Sequence, residues 1–124
     1  MTDETTLFER SRIEATAADH GVDPDSLATA LTDHQASVED LPGVENIVYE
    51  WRKQYEDPLL ERTETAYYLV LPRQVWDEFA DALGFADDVL AAVIDVHRRT
   101  VVADADTSTR PSGDQTYVAL DRTL

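Results

Sequence analysis

The sequence predicts an α+β fold: about five helices packed on a small antiparallel sheet, mostly helical in content. Three observations carry that expectation. Apolar residues recur at three- and four-residue steps through most of the chain, the period of an amphipathic helix. One short aromatic and β-branched run, TAYYLVL at 65–71, stops at Pro72 and reads as a strand covered on both faces. Three further short runs, at 59–62, 100–106 and 115–121, have strand patterning, the first pairing with this strand and the other two with each other. At 124 residues and 43% apolar content the chain is long enough to bury a core as a single domain spanning 1–124. Residues 1–5 are expected to be flexible and 107–114 to form an exposed loop.

In chain order, Thr6 and Glu9 have capping-box spacing ahead of LFERSRIEATAADHG. They predict a helix from about residue 6 to His20, with Leu7, Phe8, Ile13, Ala15 and Ala18 as its apolar contribution and Gly21 as its end. Asp23-Pro24 supplies an N-cap followed by proline at the first helical position. Leu27, Ala30, Leu31, His34 and Val38 then hold one face of a second helix, with Asp25, Ser26, Thr29, Asp33 and Gln35 on the solvent side. Leu41-Pro42-Gly43 breaks the pattern. Val44, Ile47, Val48, Trp51 and Tyr55 give a third helix, closed by Asp57-Pro58. Leu59–Arg62 is expected to pair with 67–71 through a turn near Thr63 and Glu64.

Val75, Trp76, Phe79, Ala80 and Leu83 form the buried side of a fourth helix, opposite Arg73, Asp77, Glu78 and Asp81. Gly84 stands where a helix C-cap needs positive φ. Asp87 and Asp88 meet the positive dipole end of a fifth helix, whose apolar face is Val89, Leu90, Val93, Ile94 and His97. Arg98 and Arg99 suit its C-terminal end. Thr100–Asp106 and Gln115–Asp121 read as two strands of a second hairpin around TSTRPSG. The predicted core is Leu31, Ile47, Val48, Trp51, Tyr67, Leu69, Leu71, Trp76, Phe79, Leu83, Leu90, Val93 and Ile94.

Net charge is −16, from 26 acidic and 10 basic residues, the latter being nine Arg and the single Lys53. The acids are spread over every segment and interleaved with apolar periodicity instead of running in blocks, so they are not a disordered tail. This pattern suits a protein of molar-salt cytoplasm. There the Debye length is about 3 Å, like charges barely repel, and hydrated carboxylates maintain solubility. The absence of cysteine excludes disulfides, thiol nucleophiles and thiolate metal sites. No run approaches the roughly 20 apolar residues of a membrane span, and the polar start MTDETTLFER is no signal peptide. A cytoplasmic location without membrane contact is therefore expected.

The chemistry-bearing motifs do not assemble an enzyme. His20, His34 and His97 lack metal-ligand spacing and read as capping or packing residues. Asp104, Asp106 and Ser108 open like a calcium loop, but Thr109 stands where glycine is required and Gln115 where glutamate is. No serine lies in a G-x-S-x-G elbow, and four glycines make no phosphate loop. No catalytic residue, cofactor or metal is expected. Two nucleic-acid readings fit parts of the pattern. Phe79, Ala80, Leu83, Gly84, Phe85, Leu90 and Val93 have helix-turn-helix spacing, but the second helix presents acids and alanines where basic residues should stand, which favours a plain helical hairpin. Three helices followed by a hairpin resemble a winged helix with Val44–Tyr55 as its recognition helix. For these readings the candidate contacts are Arg52, Lys53, Arg62, Arg98, Arg99 and Arg110.

The succession VDPDSLATAL, YLVLP, W-x3-A-x-x-LG and H-R-R, over residues 20 to 100, resembles a family of small uncharacterised haloarchaeal proteins. That resemblance implies a haloarchaeal cytoplasmic origin and transfers no active-site residue. The favoured function is a non-catalytic interaction or regulatory protein, with a protein partner or self-association. A winged-helix or helix-turn-helix DNA-binding regulator is the alternative. A DNA binder should gather Arg10, Arg12, Arg52, Lys53, Arg62, Arg98 or Arg99 on one face, and an interaction protein should expose an apolar patch.

Overall fold

The computed structural model describes residues 8–40, 44–55, 58–104 and 115–121. In it the chain forms α1 (Arg10–His20), α2 (Pro24–Asp40), α3 (Val44–Gln54), β1 (Leu59–Arg62), β2 (Ala66–Pro72), α4 (Arg73–Leu83), α5 (Asp87–Asp104) and β3 (Gln115–Asp121). The five helices and a three-stranded antiparallel sheet of order β1-β2-β3 make the α+β, mostly helical fold that the periodicity predicts. The expected flexible start and the loop at 107–114 lie outside the described residues, as does the Leu41-Pro42-Gly43 breaker.

Local chemistry sets most boundaries. Asp23 accepts a hydrogen bond from the Ser26 amide at 2.9 Å and caps α2. Gly21 and Gly84 adopt φ of 67° and 75°, letting the chain leave α1 and α4 through left-handed caps. The amides after them, of Val22 and Phe85, return to the carbonyls of Ala17 and Ala80. Asp87 and Asp88 occupy the first turn of α5, as the dipole argument expects. Thr63 closes the β1–β2 turn, its hydroxyl accepting from the Thr65 and Ala66 amides. Every residue of β2 from Ala66 to Leu71 is buried, so both faces of the central strand are covered.

Several expectations are corrected. α1 begins at Arg10 with Glu9 at its N-cap, not near residue 6, and Glu9 makes no side-chain capping bond. Ala15 and Ala18 are exposed, and Thr16 and Ala17 are buried in their place. Residues 100–104 are not a strand: α5 runs through them to Asp104. Thr100 and Val101 fall three and four residues after His97, extending the buried stripe of Leu90, Val93 and His97. Burying them outweighs the few tenths of a kcal/mol that β-branched residues cost in a helix. The second hairpin therefore does not form, and β3 pairs directly with β2, Ala66 opposite Asp121 and Pro72 opposite Gln115. Arg98 and Arg99 consequently lie within α5 and not at its end.

The core runs from Phe8 to Leu120 and includes Leu27, Leu31, Trp76, Val93, Val96 and Val118. Ile47, Phe79 and Ile94, predicted as core, are only partly buried and pack against it. Leu83 is likewise half-buried. Gln35, predicted to face solvent, is buried.

Candidate functional site

Two neighbouring regions hold the unusual chemistry: a buried cluster of imidazole and aromatic rings, and an apolar cleft that opens beside it.

The buried cluster draws His34 from α2, Trp76 and Phe79 from α4, and His97 from α5. His34 lies 4.7 Å from Trp76, 4.3 Å from Phe79 and 5.3 Å from His97, measured between ring centroids. His97 lies 4.7 Å from Trp76 and 4.8 Å from Phe8. Both histidines are fully buried. Removal from water penalises the imidazolium, pushing His34 down to about 3, and burial together with His34 holds His97 well below its ordinary value. Both rings are neutral at pH 7. His97 Nδ1 accepts from the Ala119 amide at 2.9 Å, so its proton sits on Nε2.

That tautomer leaves the lone pair of His97 occupied and its Nε2–H without a conventional partner among the described residues, as are His34 Nε2 and Trp76 Nε1. The edge-to-face packing of these rings gives buried N–H groups an aromatic face to meet. No group of three or more His, Cys, Asp or Glu is placed to hold a metal among the described residues.

The same helices finish the sheet edge. β3 is an outer strand, and its outward backbone groups would be open to another chain. Gln35 donates to Ala119 O at 2.9 Å and accepts from Asp121 N at 2.7 Å, while His97 takes the Ala119 amide. Leu31, Gln35 and Val38 have core spacing on α2, and that periodicity was the signal for a buried amide at 35.

The cleft lies between α3 and α4, lined by Ile47, Trp51, Val75, Glu78, Phe79 and Ala82, with a volume of about 240 Å³. Trp51 and Phe79 form its aromatic floor, their rings nearly perpendicular with centroids 6.5 Å apart. Phe79 therefore touches the cleft with one side and His34 with the other. The sequence pattern found four of these residues as helix core: Trp51 and Val75 are buried, whereas Ile47 and Phe79 are only partly so. Periodicity cannot tell a covered stripe from one left partly open.

The described nucleic-acid candidates are distributed over α3, β1 and α5. Arg98 bonds Asp95 at 2.7 and 2.9 Å, and Arg99 bridges Asp19 at 2.6 Å and Asp95 at 3.0 Å. His20 adds a third neighbour to Asp95 at 2.9 Å. Partial burial tends to raise Asp95, but the bonds from His20, Arg98 and Arg99 outweigh it and hold this carboxyl below the usual range. The network joins the end of α1 to the middle of α5. Arg10 is committed to Glu14 and Asp25, and Arg12 reaches Thr100 and Glu9. Lys53 pairs with Glu50 at 3.4 Å and sits over the Tyr49 ring. Arg52 on α3 and Arg62 at the end of β1 are exposed, without an ion pair among the described residues. Arg110 lies outside them.

Fold and site together define a small α+β protein with a buried ring cluster beside a shallow cleft. The chain belongs to the family described as a domain of unknown function, DUF8048, whose model matches residues 6–122. No curated protein and no solved structure matches it. No helix among the described residues is long and apolar enough to cross a membrane.

Proposed function

We propose that this is a non-catalytic interaction protein of a salt-accumulating, haloarchaeal cytoplasm, and that it works through the α3–α4 cleft. The observation that carries the reading is the shallow cleft between α3 and α4, where partly buried Ile47 and Phe79 stand beside exposed Ala82 and Glu78 over buried Trp51 and Val75. The charge supports the setting. Among the described side chains, every acid except Glu61, Asp95 and Asp121 is exposed, which suits solvation by concentrated salt.

The deciding experiment is affinity capture from halophile lysate in molar KCl, comparing wild-type protein with Ala82→Arg. Ala82 lines the cleft and is exposed, so the arginine obstructs binding without disturbing the core. A partner retained by wild type and lost from the variant supports the reading. Equal retention by both removes the cleft from it. The halophile setting has its own test: the melting temperature should climb steeply from dilute buffer to molar KCl, and a flat profile would sink it.

A DNA-binding regulator is the second reading, favoured by the three helices preceding a hairpin and by exposed Arg52, Lys53 and Arg62. Anisotropy with pooled genomic fragments across KCl concentrations tests it. Sequence-selective binding lost in Arg52→Ala would replace the interaction reading.

A further inference from the structure

The outer edge of β3 is fastened by two side chains, His97 from α5 and Gln35 from α2. We infer that His97, with His34 and Gln35 beside it, is an acid-operated latch on that edge: proton uptake unfastens Ala119 and Asp121 from α2 and α5 while β1 and β2 stay paired. The α3–α4 cleft plays no part in this device.

The hydrogen bonds fix where a proton acts. His97 Nδ1 accepts from the Ala119 amide at 2.9 Å, and Nε2 already carries the ring proton. A proton from solvent therefore enters at the Nδ1 lone pair, the one that holds Ala119. It turns that acceptor into a donor facing the Ala119 N–H, and an attractive contact becomes repulsive. The neighbouring fastening meets the same chemistry. Gln35 donates to Ala119 O at 2.9 Å and accepts from the Asp121 amide at 2.7 Å, while its Nε2 stands 3.5 Å from His34 Nδ1. An imidazolium at His34 sets its own N–H against that amide nitrogen.

The surroundings do not offset the added charge. The two imidazoles lie 5.3 Å apart, so a charge on one opposes a charge on the other. From α4 come Trp76 and Phe79, while Arg73, Asp77, Glu78 and Asp81 of that helix are exposed. On α2, Asp25 and Asp33 are exposed. From the side of α1, Phe8 meets His97, and Arg12 is taken up by Thr100 and Glu9. Within α5, Asp95 is engaged by His20, Arg98 and Arg99, and Asp87, Asp88 and Asp104 are exposed. On β3, Asp121 is buried and itself engaged.

Burial keeps both rings neutral while the edge is closed, so the open form binds the extra protons. The latch is complete above about pH 6.5, and below it opening is favoured by about tenfold per pH unit for each imidazole released. Down to about pH 5 ordinary carboxylates stay ionised and the acidic surface is unchanged. Amide exchange of the full chain is followed by NMR in molar KCl from about pH 7.5 to 5, with rates corrected for the intrinsic pH dependence of exchange. Protection of the Ala119 and Asp121 amides should fall about a hundredfold. The Val70 amide, which donates to Pro58 O on the β1 side, should change by less than about tenfold. His97→Asn puts an amide oxygen in the place of Nδ1, an acceptor that does not titrate, and should recover about tenfold of the loss at Ala119. His34→Leu removes the other imidazole and should recover a similar factor, which keeps the test open if the asparagine variant does not fold.

Parallel loss of protection at Ala119, Asp121 and Val70 would mean that acid opens the sheet as one unit, and would overturn the inference. So would a pH profile at Ala119 that neither substitution changes. Loss confined to the β3 edge and reduced by either substitution supports it.

Discussion

The two sides of Phe79 face different worlds. Toward α2 and α5 lie His34, His97 and Trp76, all fully buried, with the sheet edge tied to the helices by Gln35 and His97. Toward α3 lies a shallow cleft of similar aromatic character, with Glu78 and Ala82 in its lining. Both regions come from amphipathic helices of ordinary pattern. The closed side brings polar nitrogens into a buried interior and gives them aromatic faces or backbone partners. On the open side Ile47 and Phe79 stay partly exposed over buried Trp51 and Val75.

That contrast makes graded predictions. The largest effect is expected at Trp76, where Trp76→Ala should destabilise by about 3–5 kcal/mol in denaturant melts because the surrounding rings cannot collapse into the space. A loss below about 1 kcal/mol would mean the closed side is not tightly packed.

Acid should reach the closed side next. His34 and His97 are neutral when folded and have depressed values, so the unfolded chain binds more protons below its ordinary histidine value of about 6.5. Their contribution is therefore complete above about pH 6.5 and is lost as pH falls toward the folded values. For His34, whose folded value is about 3, the loss is on the order of 4 kcal/mol by pH 3. Asp95 acts in the same direction at lower pH, its depressed carboxyl stabilising above its unfolded value and losing that as pH falls through the folded one. Urea melts from pH 7.5 to 4 should show the decline, and His34→Leu should flatten its upper part. An unchanged slope in that variant would place the acid sensitivity elsewhere.

Gln35→Leu sharpens the comparison at the sheet edge. It leaves Ala119 O and Asp121 N buried without their partners and should cost about 1–3 kcal/mol. Amide exchange in β3 should accelerate more than exchange in β1. Uniform acceleration would show that Gln35 does not secure that edge specifically. The smallest effect belongs to the open side: Ala82→Arg should change stability by no more than about 0.5 kcal/mol while abolishing cleft-dependent binding. A large loss of stability there would mean the cleft is closed in solution.

Much of this was legible beforehand. The strand at 66–72 stands out because an unbroken aromatic and β-branched run ending in proline has few other uses. The turns at Gly21 and Gly84 follow from the need for positive φ, and the Asp23 cap from its position before Pro24. Residues 100–104 misled because Thr-Val-Val has strand propensity, whereas the space beside α1 and β3 rewarded burying Thr100 and Val101 on a longer helix. Gln35 misled for the reverse reason: its side chain is polar, but α2 carries it to backbone groups 84 and 86 residues away in sequence.

The sequence alone determined the local periods, the caps, the acidic surface and the absence of thiol chemistry, because these depend on neighbouring residues or on totals. Only the tertiary structure decided which apolar stripes are covered, where His34 and His97 meet, and what completes the edge of β3. Those outcomes depend on how far apart the helices pack, and no stretch of chain carries that distance within itself.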